Sequence, residues 1–160
     1  MTTLKSMPNT DPDNQVLPVA VGVIWSPNYQ EVFIAKRENG VPQGGLWEFP
    51  GGKVEVGETY EQALIRELRE ELNITVTRFE FWQTLNHVYP DMSVSITFFH
   101  VYAFNGAIRT TNAQPWCWVK LSDLVLYDFP EINKPIIEQL AQRLVSTIGI
   151  RPRLCIKGHL

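Results

Sequence analysis

The chain has 160 residues, of which 44% are hydrophobic, with a formal net charge of −3 and two cysteines. This is one domain of ordinary size with enough apolar matter for a core. It has no basic footprint for long nucleic acid, and no run approaches the roughly 18 apolar residues that a membrane span needs. Cys117 and Cys155 lack close spacing and read as free thiols in a reducing, cytoplasmic compartment, not as a disulfide framework.

Residues 1–15 are polar, carry Pro8 and Pro12, lack the apolar region of a secretory signal, and read as a flexible arm. Residues 16–25 form a predicted strand and Ser26-Pro27-Asn28 a turn. Residues 31–37 are the return strand, with Val32 and Ile34 on one face and Phe33 on the other. A loop containing Gly40, Pro42, Gly44 and Gly45 leads to a short extended piece at 46–49. Residues 50–58 form a glycine-rich loop. The helix at 59–72 has Thr59 as N-cap and Leu64, Leu68 and Leu72 as its core stripe. One or two strands rich in Phe and Trp fill 76–89. Further strands follow at 93–104 and 116–121, and a second helix at 133–146 places Ile136, Ile137, Leu140 and Leu144 at core spacing. This order predicts an α+β fold, a mixed sheet sandwiched between helices, in one domain spanning 16–146. The stretch 147–160 is basic through Arg151, Arg153 and Lys157, has no period, and reads equally as a docked tail or a cloning remnant.

The first helix carries the chemistry. Glu67, Glu70 and Glu71 are three and four residues apart, so they share an arc about 100° wide. Arg66 and Arg69 fall outside that arc, which leaves it without a cation of its own. Like charges at i,i+4 destabilise a helix by about 0.2–0.5 kcal/mol per pair. A hard divalent cation removes the repulsion, and carboxylate oxygens are the ligands that Mg²⁺ prefers. A solvated acidic face is the plainer reading, but such a face needs no glycine-rich lead-in. Gly51-Gly52 and Gly57 permit close backbone approach and positive φ. The loop is not a nucleotide-cradling P-loop, because Trp47 stands where the first glycine belongs and Val54 where Ser or Thr is required.

Gly52, Glu58, Arg66, Glu67, Leu68, Glu70 and Glu71 fall in the spacing of the Nudix box, and the chain resembles that family. Asn73 stands where the family pattern has Gly, and Asn tolerates the left-handed conformation better than most residues. The run from Trp47 to Lys53, the strand Ala20-Val21-Gly22-Val23-Ile24, and Asp128-Phe129-Pro130-Glu131-Ile132-Asn133 resemble the MutT-type branch. The resemblance implies a Mg²⁺-dependent pyrophosphohydrolase, with Mn²⁺ able to substitute, acting on a small nucleotide. The branch hydrolyses 8-oxo-dGTP. Another nucleoside diphosphate derivative, such as ADP-ribose or a dinucleoside polyphosphate, and a non-catalytic nucleotide-binding module stay open as alternatives.

By the same resemblance Glu67, Glu70 and Glu71 hold the metal with the Gly51 carbonyl, and Glu67 is also the general base. Glu58 and Arg66 brace the loop against the helix, and Arg37 either faces phosphate or is an exposed charge at a strand end. Oxidation at C8 turns guanine N7 into an N–H donor. The Asn133 amide can accept from it while donating to O6, unless Asn133 serves only as the cap of the second helix. Phe129 and Phe49 shape the base pocket. One departure stands out: Cys117 replaces a further acid of the MutT branch, so a metal site relying on that acid is altered or completed by another group. His100, among Phe98, Phe99 and Val101, reads as a packed strand residue.

Overall fold

The computed structural model of the chain describes residues 15–148, with side chains to 143. Of the expected arm at 1–15 and tail at 147–160, residues 1–14 and 149–160 lie outside the described residues. Seven strands and two helices follow in the order β1 (Val16–Ile24), β2 (Glu31–Lys36), β3 (Trp47–Glu48), β4 (Gly51–Lys53), α1 (Tyr60–Leu72), β5 (Thr75–Val88), β6 (Ser93–Asn105), β7 (Trp116–Lys120) and α2 (Lys134–Ile148). The second helix runs two residues past its expected end at 146.

A mixed four-stranded sheet has the order β4-β1-β6-β5, and a three-stranded sheet the order β3-β2-β7. β1 lies parallel to β6 and antiparallel to β4. β5 runs antiparallel to β6 along nearly its whole length, as a single strand with register shifts near Arg78 and after Phe81. The return strand does not come back onto β1. β2 pairs with β3 and β7, and the two sheets touch through one bridge, Trp25 to Val32. The Ser26–Glu31 turn splays the chain into a second sheet: Glu31 N–H donates to Ser26 Oγ and Ser26 N–H to the Glu31 carbonyl.

β1 is apolar on both faces because both are covered, as for a central strand with a parallel neighbour. Ala20 and Ile24 face a core built with Leu64, Leu68 and Leu72 of α1. Val21 and Val23 face a second core with Ile136, Ile137 and Leu140 of α2. The expected split of β2 also holds, with Phe33 in the first core and Val32 and Ile34 in the second. Leu64 and Leu68 are fully buried, and truncating a leucine of this kind to Ala costs about 2–5 kcal/mol. α1 is thus pinned by its apolar stripe, and its acidic side is placed beside β4.

Candidate active site

The start of α1 is fixed by a reciprocal cap. Thr59 Oγ1 accepts from the Gln62 N–H at 3.2 Å, and the Gln62 side chain accepts from the Thr59 N–H at 2.9 Å. The end is fixed by Asn73 at φ 58°, whose N–H bonds to the Arg69 carbonyl, as the sequence led us to expect. The loop ahead of the helix turns at Gly57, φ 79°. Its β4 segment, expected as loop, is hydrogen-bonded to β1. Gly52 passes directly under Glu67: a Cβ there would overlap the carboxylate. Gly51 is equally confined, against the Ala20 carbonyl.

Arg66 is the hub of the loop. Its Nε and Nη2 donate to the two oxygens of Glu58, both at 2.8 Å, and Nη2 also donates to the Lys53 carbonyl at 2.9 Å. Nη1 reaches Glu67 at 2.8 Å and Glu70 at 3.4 Å. The arc is therefore not without a cation, contrary to expectation. The helical wheel places Cα directions, and the long guanidinium side chain reaches around them. The Arg66 hydrogen bond also holds Glu58 below the usual carboxylate range.

Glu71 has no such partner. Burial first, and then the charges of Glu67 and Glu48, push it up to about 8, against the pull of the Gly51 backbone. Glu48 is the residue that the sequence reading passed over. It follows Trp47 on β3, is itself raised mainly by burial, and pairs with Arg37 at 2.9 Å. The usable signal was an acid inside an otherwise apolar strand entry. Cys117 is half-buried on β7 opposite Ile34, with Sγ 3.9 Å from the Tyr127 hydroxyl.

Glu58, Arg66, Glu67, Glu70, Glu71 and Gly51 thus come together where β4 meets α1, and Arg37 joins them through Glu48. Arg37 keeps a buried Nε with no partner among the described residues. A second group forms where the 127–130 loop docks on β3, with the Trp47 N–H bonded to the Asp128 carbonyl at 2.8 Å. There Phe49 stacks on Phe129 with centroids 5.3 Å apart. Asn133 is 9% exposed and ends a short 3₁₀ turn ahead of α2. No capping bond of its amide is found among the described residues.

Among the described residues no three acidic, His or Cys side chains converge in a ready-made metal-binding geometry. Arg66 engages Glu67 and Glu70 instead. The donor chemistry nevertheless fits a hard divalent cation. The oxygens are carboxylate oxygens, and Glu71 lies among negative neighbours with no countercharge of its own.

A model of the NUDIX domain matches residues 20–139. The chain belongs to the NUDIX family. A protein of Escherichia coli K12 named 8-oxo-dGTP diphosphatase is 40% identical over 124 residues, which covers 78% of this chain and 95% of that protein. A Proteus vulgaris protein of the same name is 47% identical over 89 residues, or 56% of this chain and 79% of that one. A solved structure of MutT, from a study of the Aliivibrio salmonicida and Vibrio cholerae proteins, superimposes with a TM-score of 0.71 at 40% identity, over 81% of this chain and 99% of that one. This NUDIX chain has the α+β architecture expected of it, and among the described residues no helix is long and apolar enough to cross a membrane.

Proposed function

We propose that this chain is a cytoplasmic, Mg²⁺-dependent nucleoside triphosphate pyrophosphohydrolase that converts 8-oxo-dGTP to 8-oxo-dGMP and pyrophosphate, clearing oxidised guanine from the nucleotide pool. The observation that carries the reading is the half-buried Glu71 carboxyl, pressed by Glu67 and Glu48 without a countercharge beside the Gly51 backbone. Glu67, Glu70, Glu71 and the Gly51 carbonyl would hold Mg²⁺ or Mn²⁺. Such an ion, when bound, neutralises phosphate charge and lowers the pKa of coordinated water.

The rest follows from this chain's own side chains. Glu67, oriented by Arg66 Nη1 and seated on Gly52, takes the proton of the attacking water. Arg66, clamped to Glu58 and Lys53, fixes the loop and keeps the carboxylates in register. Arg37 offers guanidinium donors to a phosphate oxygen, with Glu48 limiting its sweep. Asn133 reads N7–H and O6 of the oxidised base, and Phe49 and Phe129 line the pocket beside it.

A panel of nucleotides with purified protein and Mg²⁺ tests this. Pyrophosphate release should be fastest from 8-oxo-dGTP, and a clear preference for ADP-ribose would reject the substrate assignment. Asn133→Ala should lower discrimination between oxidised and normal guanine more than turnover. A satisfied buried polar contact is worth about 1–3 kcal/mol, or roughly 5- to 150-fold.

A further inference from the structure

One large cavity lies away from the carboxylates. It has a volume of about 1210 Å³ and lies against the outer part of β5 and β6, the β1–β2 turn, the end of β7 and α2. Trp25, Tyr29, Arg78, Tyr102, Lys120 and Arg143 line it, and none of them belongs to the catalytic or base-reading groups. Small-molecule sites run to about 300–1,000 Å³, so a nucleotide fits with room for water.

Two features of its wall define the ligand. First, the wall is aromatic and rigid. Trp25 Nε1–H donates to His100 Nδ1 at 3.0 Å, and His100 is itself stacked between Trp82 and Tyr102. Burial, and then the Arg143 charge, hold His100 down at about 4, so its neutral ring remains the acceptor that locks Trp25 in place. Tyr29 meets Tyr102 edge to face. Second, the wall is cationic in a chain whose net charge is −3. Three basic side chains line the cavity against one acid, Glu80, and the Tyr102 hydroxyl points to that acid at 3.5 Å. No carboxylate pairs with Arg78 or Lys120 among the described residues. Arg78 lies instead over the rings of Tyr29 and Tyr102, at 5.9 and 5.4 Å. Its Nη2 also donates to the Tyr29 hydroxyl, which holds the stacked guanidinium in place, and its remaining edge donors can turn to a phosphate.

We propose that this cavity is a second, non-catalytic site for a planar aromatic anion of nucleotide size, with its ring against Tyr29, Tyr102 and Trp25 and its phosphate on Arg78 and Lys120. The site stands independently of the hydrolytic assignment, because it shares no residue with it.

The indole N–H of Trp25 reports on this wall directly. In ¹⁵N-labelled full-length protein, with its resonance assigned through Trp25→Phe, dGMP should shift it saturably. Deoxyguanosine supplies the ring without the anion and pyrophosphate the anion without the ring, so neither should reproduce the shift at equal concentration. Arg78→Ala and Lys120→Ala, both surface changes, should each weaken the dGMP response by at least about ten-fold, while Asn133→Ala leaves it intact. A Trp25 signal that ignores dGMP, that responds equally to deoxyguanosine, or that is lost in Asn133→Ala but kept in Arg78→Ala would overturn the proposal.

Discussion

Binding of Mg²⁺ at the carboxylates should expel a proton, and Glu71 supplies it. With Glu71 at about 8, roughly 0.9 of the population carries a proton at pH 7 and roughly 0.1 at pH 9. A metal ligand must be ionised, so calorimetric titrations with Mg²⁺ in buffers of different ionisation enthalpy should report about 0.9 proton released at pH 7 and about 0.1 at pH 9. Apparent affinity should rise about fifty-fold from pH 6 to pH 8 and then flatten. The same group sets a stability trend in metal-free protein. Its folded value of about 8 lies above the ordinary 4.5, so between those pH values the folded chain binds the proton more tightly than the unfolded one. Metal-free stability therefore falls as pH rises through this window. The loss by pH 7 is about 3 kcal/mol, from two and a half pH units at about 1.4 kcal/mol each, and Mg²⁺ restores it. Glu71→Gln should abolish both the proton release and the pH trend. Proton release near zero at pH 7, or unchanged release in Glu71→Gln, would refute the reasoning.

Three other changes probe the same site by different routes. Glu70 is the most open of the helix acids known to contact Arg66, with its side chain 61% exposed. Glu70→Gln should leave the melting temperature near wild type and lower turnover by at least about two orders of magnitude; unchanged turnover removes Glu70 from the metal set. Gly52→Ala should displace the Glu67 carboxylate, which a Cβ would overlap, so the rate should fall at least about a hundred-fold while circular dichroism stays native; an active variant would mean that Glu67 is free to move. Arg66→Lys keeps the charge but cannot form the two-pronged bond to Glu58 together with the bond to the Lys53 carbonyl. It should lower stability by about 2 kcal/mol by chemical denaturation and fail to restore the activity that Arg66→Ala loses.

What could be read from the sequence divides along local and non-local lines. α1 was legible because its evidence is local: leucines at 64, 68 and 72, a threonine before the first turn and an asparagine after the last. Each signal acts within one or two turns, and the structure places Leu64, Leu68 and Leu72 in the core, Thr59 in the cap and Asn73 in the left-handed conformation. Strand partnership is not local. Residues 31–37 looked like a return strand because a turn precedes them. Yet β1 completes its ladders with β4 and β6, so its two edges are taken by segments that come later in the chain. Glu48 was invisible for a related reason. Its apolar neighbours mark it only as an acid out of place, and its importance arises only when β3 folds it among Arg37 and the helix acids.

The acidic face of α1 shows how such a site can persist. Its own charges oppose the helix by a few tenths of a kcal/mol per pair, while Leu64, Leu68 and Leu72 on the adjoining face are buried almost completely and stabilise it by about 1.5–3 kcal/mol each. Packing therefore exceeds repulsion several-fold, and the helix needs no metal to form. Arg66 removes part of the remaining strain by engaging Glu58, Glu67 and Glu70, which leaves Glu71 as the one helix acid pushed far upward. That residual imbalance, held in place by a core that does not depend on it, gives the site its demand for a cation.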